Sequence, residues 1–464
     1  MPDSLSTRRS TAVVIGASAA GLFTAAVLTE FADVTIIERD QLPDGPEPRR
    51  GVPQTRHAHL VWSGGVNAFN ELLPGVTDAA VDQGARLVRI MGDMISRAPN
   101  EVWFRRFLGT HHRNLVCSRD LLDFVLRKRV LSHERVTLRQ ATAMGLDGDA
   151  TRVTGVRAYG ADQEFTLPAD LVVDASGRGS HAAQWLADLG LPNVTTREVN
   201  AGVTYATRLF KAPVGAGDNY PLVNVQATPA KAPGQGGIIL PIENNQWLVT
   251  LAGTRGGEPT ADPDAFVPFA LGFADPIIGQ LLQNAEPVND VITTRSTANR
   301  RRYFEKMKHW PDGFIVMGDA IAAYNPVYGH GLTVAAQGAI AVRDVLRSKD
   351  ITAPGTTRQL QRAAARPVAA AWDLAVGQDA FYPGAAQTPP TPVERFLARF
   401  VDKAVETGAR NPRAMGALLD VMSMEKPATR LFSKDMLIPM LFGPRTPHLQ
   451  GPPLREDERA VIHH

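Results

Sequence analysis

The sequence contains a single cysteine, Cys117, among its 464 residues. One thiol cannot form a disulfide within the chain, and it cannot supply a cysteine-based metal cluster. Long apolar runs are also missing, because no stretch reaches the roughly 18 uninterrupted apolar residues that a membrane-spanning helix needs. We therefore expect a cytoplasmic protein with no transmembrane segment.

The sequence also lacks an excess of positively or of negatively charged residues. The 49 Lys and Arg residues and the 47 Asp and Glu residues leave a formal net charge of +2, which indicates no nucleic-acid partner and no polybasic membrane anchor. A Gly-x-Ser-x-Gly elbow is absent from the sequence, so nucleophilic hydrolysis has no support. His57 and His59 alternate, and His111 and His112 are adjacent, but no carboxylate or cysteine set lies near them in the sequence. We expect no metal site.

The most informative pattern lies near the N-terminus, in residues 13–40. A short apolar strand runs into Gly16-Ala17-Ser18-Ala19-Ala20-Gly21, an Ala-rich helix follows, and a second strand ends at Glu38. This order is typical of a dinucleotide-binding βαβ unit, in which small residues admit a pyrophosphate and an acidic residue binds a ribose. We predict a dinucleotide site formed by the six loop residues, Glu38 and Arg39, although Ser18 replaces the usual second glycine. A generic strand–turn–helix is the alternative.

The pair Arg8-Arg9 before this apolar stretch resembles a twin-arginine export signal. The stretch, however, contains the glycine turn and runs on into VTIIERD without a polar break. Because cleavage would destroy the dinucleotide motif, we interpret the segment as part of the mature protein.

Helical and strand patterns alternate in the first half of the chain. Residues 114–130 have apolar positions at helical spacing after Ser118, which is a suitable N-cap. Val136–Leu138 and Val153–Tyr159 alternate between apolar and polar residues and are predicted to be paired strands.

The second half of the chain begins with a different pattern. Residues 202–255 are typical of an antiparallel sheet, with Asn244-Asn245 as a hairpin turn. Residues 352–392 are rich in Ala, Pro and Thr and are predicted to be irregular, and helical segments follow to about Phe442.

Two further segments repeat the order of strand, small residues with Asp, and helix start. The first is Leu171–Asp174 followed by ASGRGS, and the second is Met317-Gly318-Asp319-Ala320 followed by NPVYGHGL. Each Asp alone would more often be a helix cap than a cofactor contact. Together with the N-terminal motif, they resemble the single-component FAD-dependent monooxygenases, the relatives of aromatic hydroxylases and squalene epoxidase. The resemblance spans about residues 10–345.

This resemblance implies FAD as cofactor and assigns residues to it. Asp319 would bind the ribityl hydroxyls, and the backbone at Gly329, Gly331 and Leu332 would face the pyrimidine edge of the flavin, where a helix N-terminus stabilises negative charge. Arg119 would reach the ribityl and pyrophosphate region, with a solvated arginine at the start of a helix as the alternative.

Asp174 corresponds to the aspartate of the family's Asp-Gly motif, although Ala175 replaces the glycine. A second full glycine-rich dinucleotide motif is absent from the sequence. The flavin would therefore be reduced by transiently bound NAD(P)H or by a separate flavin reductase.

A narrower resemblance is carried by residues 49–65, RRGVPQTRHAHLVWSGG, together with DASGRGS and NPVYGHGLTVAAQGA. These phrases look like the bacterial epoxidases of polyether-antibiotic biosynthesis, of the monensin and lasalocid type. The resemblance implies epoxidation of an apolar alkene, a polyene polyketide, with O2 through a flavin hydroperoxide. Arg50, Gln54 and His57 would then lie near the isoalloxazine. Composition alone favours a solvated surface loop over Arg49–His59.

Two other activities of the same fold stay open, namely hydroxylation of an aromatic or polyketide substrate and reduction of an isoprenoid double bond. The predicted fold class is α/β (α+β overall). It comprises a Rossmann-like FAD-binding domain (1–80, 111–190 and 291–347), an inserted antiparallel β-sheet domain for the substrate (81–110 and 191–290), and a C-terminal helical region (348–464). The sheet would form the floor of an apolar pocket. The C-terminal helices, including Asp435–Phe442, would close it or only pack on the core.

Overall fold

A computed structural model describes residues 8–49, 51–217, 219–443 and 446–463. Its strands are β1 (Ser10–Ile15), β2 (Ala32–Glu38), β3 (Leu60–Val61), β4 (Arg86–Arg89), β5 (Met94–Arg97), β6 (Arg113–Val116), β7 (Val136–Gln140), β8 (Thr142–Gly148), β9 (Val153–Gly160), β10 (Gln163–Pro168), β11 (Leu171–Asp174), β12 (Thr196–Val199), β13 (Thr204–Lys211), β14 (Leu222–Val225), β15 (Gln235–Ile242), β16 (Gln246–Gly253), β17 (Ile292–Thr294), β18 (Asn299–Arg302), β19 (Phe314–Val316) and β20 (Ala322–Ala323). Its helices are α1 (Ala19–Leu28), α2 (Ser63–Leu72), α3 (Val76–Val81), α4 (Arg119–Leu131), α5 (Ala182–Asp188), α6 (Phe266–Leu271), α7 (Ile277–Leu282), α8 (Gly331–Leu346), α9 (Thr356–Asp379), α10 (Pro392–Gly408), α11 (Pro412–Met422), α12 (Lys434–Phe442) and α13 (Glu456–Ala460).

A five-stranded parallel sheet in the order β19-β11-β1-β2-β7 forms the Rossmann-like part of the fold. The apolar stretch after Arg9 is its central strand β1, with Val13 and Val14 buried. The carboxyl ends of parallel strands meet at one edge of a sheet, and ligands bind there. The turns after β1, β11 and β19, which carry the three predicted motifs, therefore lie side by side. This confirms the predicted fold class.

Helix α1 packs directly on the glycine turn that precedes it. A Cβ placed on Gly21 would lie 1.9 Å from the carbonyl oxygen of Gly16, so only glycine fits there. Leu22, Phe23 and Leu28 bury the other side of the helix in the core. Glycine at this position also brings α1 close to β1, because Val14 Cγ1 lies 3.5 Å from the same Cβ position.

A six-stranded sheet in the order β17-β13-β16-β15-β14-β5 forms the second layer. Its predicted hairpin turn is confirmed, because Asn244 and Asn245 adopt φ angles of 61° and 53° between β15 and β16, as a type I′ turn requires. The two faces of this sheet contact different parts of the protein. Ile239 and Val249 belong to the core that includes residues of α6 and α7, whereas Ile238 and Thr250, one residue along each strand, line a large cavity.

Two secondary-structure predictions were wrong. Strand β7 pairs in parallel with β2, and β9 pairs with β8 and β10, so Val136–Leu138 and Val153–Tyr159 do not pair with each other. Alternation identifies a strand but not its partner. Residues 352–392 are not irregular, because most of them form the long helix α9, which contains Pro367. Its alanines favour helix, and Leu360, Val368 and Trp372 bury one side of it in the core, which outweighs the proline.

The predicted domain boundaries stay a prediction. Strand β17 lies at the edge of the six-stranded sheet, although the predicted boundary at residue 291 assigns it to the FAD-binding domain. None of the helices in the described ranges is both long and apolar enough to cross a bilayer.

Replacement of Gly21 by Ala is expected to lower the free energy of unfolding by about 1–3 kcal/mol, because the added methyl group overpacks a contact with backbone. Chemical denaturation measures this change. Gly416→Ala in α11 is the matched control, since nothing lies within 4 Å of the position of its Cβ and alanine is the better helix former by about 0.5–1 kcal/mol. Equal stability of the two variants would contradict the assigned role of Gly21.

Candidate functional site

One cavity of about 1620 Å³ extends from the glycine turn after β1 to the six-stranded sheet and the C-terminal helices. The three predicted motif segments contribute to its wall: Gly16 and Ser18 come from the first, Gly177 from the second and Asp319 from the third. The cavity thus joins the predicted cofactor site to the predicted substrate sheet.

The adenosine end of the predicted FAD site lies at the glycine turn. Ala19, Ala20 and Arg39 line the cavity there with Gly16 and Ser18. Among the described residues, Ala17 and Gly21 do not line it. They shape the turn instead, since the amide of Ala17 donates to Oε2 of Glu38 at 2.9 Å.

Glu38 is held in place by a buried arginine that the sequence analysis did not select. Arg49 donates to Glu38 Oε2 at 2.8 Å, to Asp123 Oδ2 at 3.2 Å and to the carbonyl of Ala17 at 2.9 Å. The side chain of Arg49 is only 2% exposed. The interpretation of this segment as a solvated loop is therefore wrong at Arg49. The sequence signal for Arg49 was its place in the Arg49-Arg50 pair. The prediction named Arg50 instead, and Arg50 lies outside the described residues.

Helix α4 brings a second arginine to the glycine turn. Ser118 caps the helix through its hydroxyl, which accepts from the amide of Leu121 at 3.1 Å, as predicted. Arg119 then donates to the hydroxyl of Ser18 at 3.2 Å, and its buried Nε has no hydrogen-bond partner. Arg119 also lines the cavity, so the alternative of a solvated arginine is wrong.

Asp319 faces the middle of the cavity. Among the described residues no hydrogen bond to its carboxylate is found, and a Cβ on Gly331 at the start of α8 would lie 3.7 Å from its Oδ1. Burial raises the pKa of Asp319, and the guanidinium groups of Arg178 and Arg119 oppose that shift. The carboxylate lines the cavity, where the hydroxyls of a ribityl chain would supply hydrogen-bond donors to it.

Arg178 is the other residue that the sequence analysis passed over, although it stands inside the quoted DASGRGS segment. It lines the cavity and donates to the backbone carbonyls of Ala298 and Tyr324. These two bonds fix its guanidinium on the side of the cavity that contains Asp319.

Asp174 has a different place from its neighbours in the motif. It is fully buried, and it is not among the described residues that line the cavity. Its Oδ1 accepts from the amide of Ser176 at 2.9 Å and its Oδ2 accepts from the hydroxyl of Ser180 at 2.5 Å. Asp174 therefore shapes the turn that presents Gly177 and Arg178.

The predicted flavin end lies at the start of α8, where Gly329, Gly331 and Leu332 line the cavity. A buried network holds the turn before them. Asp379 of α9 accepts from Asn325 at 2.9 Å and from the hydroxyl of Tyr328 at 2.6 Å, and Tyr205 of the large sheet donates to Asn325 Oδ1 at 2.6 Å. Sheet, turn and α9 are thus fixed to one another.

Apolar side chains dominate the far end of the cavity, although Glu394 and Asp402 of α10 also line it. Ile238 and Leu240 of the sheet face it, and helices α10 and α11 cover it with apolar side chains, namely Phe400, Val405, Met415, Leu418 and Leu419. Helix α12 contributes no described residue to the lining. Of the two alternatives for Asp435–Phe442, closure of the pocket is therefore not supported for that helix; closure by α10 and α11, which line the cavity, stays a prediction.

His57 lies between the two ends. It lines the cavity, and its Nδ1 is 2.8 Å from the hydroxyl of Thr207. Burial, with a smaller effect from Arg56, lowers the pKa of His57 to about 4, so the ring is neutral at pH 7. The backbone of Gln54 lies in a short 3-10 turn, Pro53–Arg56; its side chain lies outside what the structure describes.

These residues fit FAD. The glycine turn and Arg119 can receive the pyrophosphate at the N-terminus of α1. Glu38 and Asp319 present acceptors on either side of that position, and the N-terminus of α8 offers free backbone N–H groups beyond it.

Asp319→Ala is expected to weaken FAD binding about tenfold or more. Loss of hydrogen bonds to a charged acceptor costs about 1.5–3 kcal/mol, and about 1.4 kcal/mol corresponds to a factor of ten. Titration of apoprotein with FAD, followed by flavin fluorescence, measures the change. Asp264→Ala, at an exposed site outside the cavity, should bind FAD as the unaltered protein does. A folded Asp319→Ala variant with full affinity would remove Asp319 from the cofactor site.

Arg49→Met should lower the free energy of unfolding by about 3–5 kcal/mol, because it leaves the buried carboxylates of Glu38 and Asp123 short of a cation. Arg347→Met is the comparison, since Arg347 pairs with Glu30 at 3.2 Å on an exposed surface, where such pairs contribute about 0–1 kcal/mol. Urea denaturation of both variants tests this. A similar decrease in the free energy of unfolding for both variants would show that the buried cluster around Arg49 stabilises the protein no more than a surface ion pair does.

A family described as FAD binding domain matches residues 9–350. Protein Rv3254 of Mycobacterium tuberculosis is 30% identical over 423 residues, which cover 84% of this chain and 89% of that protein.

Solved structures show the same fold at low sequence identity. The flavin-dependent brominase Bmp2 aligns with a TM-score of 0.66 at 14% identity, over 93% of this chain and 98% of its own. The p-nitrophenol 4-monooxygenase PnpA from Pseudomonas putida DLL-E4 aligns with a TM-score of 0.60 at 16% identity, over 89% of this chain and 99% of its own. Because the family match covers most of the sequence, the chain belongs to the FAD-binding-domain family, and FAD is its cofactor.

Proposed function

We propose that the protein is an FAD-dependent monooxygenase that epoxidises an alkene of a long apolar substrate, with a polyene polyketide as the substrate class. The observation that carries this proposal is the uncharged character of the described sheet residues that line the cavity. Every described residue of the six-stranded sheet that lines the cavity is uncharged, from Ser96 and Asn224 to Ile238, Leu240 and Thr250.

The cofactor end of the cavity supplies the reactive centre. When bound and reduced, FAD activates O2, and the protein's part is to orient the cofactor and the substrate. Asp319 and Arg119 would hold the ribityl and phosphate groups. The N-terminus of α8 at Gly331 would stabilise negative charge on the reduced isoalloxazine through its free N–H groups.

The groups between the two ends are neutral. His57 is neutral at pH 7, and burial raises the pKa of Tyr205 well above its ordinary value. Addition of oxygen to an alkene removes no proton from the substrate, so it needs no base in this position. A phenol substrate would instead favour a cation that stabilises its phenolate, and the described sheet residues that line the cavity include no cation.

The helical cover completes the chamber. Phe400, Met415 and Leu418 of α10 and α11 line the cavity together with Ile238 and Leu240. These apolar side chains would exclude water from the reacting atoms, which protects an activated oxygen species from wasteful decay. They also match the length and low polarity of a polyene chain.

Oxygen-isotope labelling tests the proposal. The holoenzyme is supplied with a flavin reductase and NADH, a trisubstituted alkene and ¹⁸O₂, and the product is analysed by mass spectrometry. We expect an epoxide that carries one labelled oxygen. A saturated product would indicate a double-bond reductase, oxygenation confined to phenols would indicate an aromatic hydroxylase, and a brominated product in the presence of bromide would indicate the chemistry of the brominase Bmp2.

A pair of variants separates substrate binding from cofactor binding. Ile238→Asp should lower epoxide formation about tenfold or more, because an apolar substrate would bury an unpaired carboxylate, while the FAD absorbance of the holoenzyme stays unchanged. Val288→Asp is the matched control, at a site that is 44% exposed and outside the cavity. Full activity of Ile238→Asp would show that the substrate lies elsewhere.

A further inference from the structure

The structure brings two carboxylates to the His111-His112 pair, for which the sequence had indicated no partner. His111 and His112 immediately precede β6, Asp420 lies in the last turn of α11, and Glu425 follows that helix. One ligand atom from each of these four residues lies within 4.8 Å of the other three. We propose that this cluster, the His₂-carboxylate₂ site, binds a divalent transition metal of the Zn²⁺ class.

The distances within the cluster suit a tetrahedral ion. His112 Nε2 lies 3.3 Å from Asp420 Oδ1 and 3.8 Å from Glu425 Oε2, and His111 Nε2 lies 3.3 Å from the same Glu425 oxygen. A tetrahedral site with metal–ligand bonds of about 2.0–2.1 Å has ligand–ligand separations of about 3.3–3.4 Å. Two of the six separations between the four atoms therefore match the spacing that one ion would impose, a third is 3.8 Å, and none exceeds 4.8 Å.

His112 is a buried side chain without a partner. It is 1% exposed, and neither of its ring nitrogens makes a hydrogen bond in the described structure. The contact of 3.3 Å with Asp420 is not aligned as a hydrogen bond, although both atoms are close enough for one. A buried imidazole with two unsatisfied nitrogens is costly, and a metal on Nε2 would satisfy one of them.

The backbone around Asp420 presents both carboxylates in one direction. Met424 adopts a φ angle of 59°, and the amides of Glu425 and Lys426 donate to the carbonyl of Asp420 at 3.0 and 2.9 Å. Glu425 Oε1 accepts from the hydroxyl of Ser63, which leaves its Oε2 toward the histidines. The carboxylate ligands are thus positioned before any ion arrives.

Two cations already lie beside Asp420, and their placement is compatible with a metal. Arg430 and Lys426 contact Oδ2 at 2.7 and 3.3 Å, whereas Oδ1 faces His112. Arg430 also pairs with Asp435 at 2.9 Å. The carboxylates of Asp420, Glu425 and Asp435 and the cations of Arg430 and Lys426 have a summed formal charge of −1. A divalent ion would change this sum to +1, so neither sign of charge accumulates at the site.

The location of the cluster gives the metal a structural role. All four positions of a tetrahedral ion would be filled by protein, which is typical of structural rather than catalytic zinc sites. The ion would join the end of α11 to β6 and, through Ser63, to the start of α2. A Cβ on the adjacent Gly64 would lie 2.1 Å from the carbonyl oxygen of Ser423, so the cover and α2 are already in backbone contact here.

Metal titration of the full-length holoenzyme tests the site. After dialysis against a chelator and its removal, the protein is titrated with Zn²⁺ by calorimetry and with Co²⁺ by visible spectroscopy. We expect one ion per chain, a Co²⁺ spectrum of tetrahedral type, and a rise in the thermal unfolding midpoint on addition of Zn²⁺. His112→Ala and Glu425→Gln should each weaken binding by more than about tenfold, since even loss of a residue that supports a ligand has an effect of that order.

His309→Ala is the matched control, because His309 is exposed and outside the cluster, and it should bind both ions as the unaltered protein does. The flavin absorbance of each variant reports whether the fold is intact. If His112→Ala does not fold, His111→Ala replaces it as the test variant. The side chain of His111 is 71% exposed, so its removal should leave the fold intact. Absence of binding to the unaltered protein, or equal binding to the folded ligand variants, would overturn the proposal.

Discussion

The cofactor end of the protein depends on the buried guanidinium of Arg49. One cation connects the end of β2 through Glu38, helix α4 through Asp123, and the glycine turn through the carbonyl of Ala17. Charges in such a place are costly unless all of them are paired. The loop after β2 therefore cannot move away from the glycine turn without exposing two carboxylates. This pairing, together with the glycine motif, fixes the geometry of the predicted adenosine site.

The parts of the fold that repeat local patterns were predictable from the sequence. The strand–turn–helix order around Gly16–Gly21, the Ser118 cap and the Asn244-Asn245 turn each depend on residues that are adjacent in the chain. Local sterics and backbone hydrogen bonds determine such features. The meeting of the three motif segments also followed, because parallel strands bring their carboxyl ends to one edge.

Features that depend on distant partners were not predictable in the same way. The pairing of β7 with β2, the helical state of α9 despite Pro367, and the burial of Arg49 are decided by tertiary contacts. The carboxylates beside His112 come from residues 420 and 425, about 300 positions along the chain. In the candidate site, Asp319 and Arg119 could be selected from a family resemblance, whereas Arg178 could not be distinguished from any other arginine in a glycine-rich turn.

Helix α8 serves two parts of the molecule at once. Its N-terminus faces the predicted flavin position, while His330 Nε2 donates to the carbonyl of Met422 and Gln337 donates to the carbonyl of Met424, each at 2.9 Å. The start of α8 lies at the predicted flavin position, and the same segment holds the end of α11 in place through these two hydrogen bonds. These two bonds hold the backbone at the end of α11 and leave the side chains of α10 and α11 that line the cavity unconstrained. Replacement of those side chains can therefore change the width of the cavity while the contacts between α8 and the end of α11 stay the same.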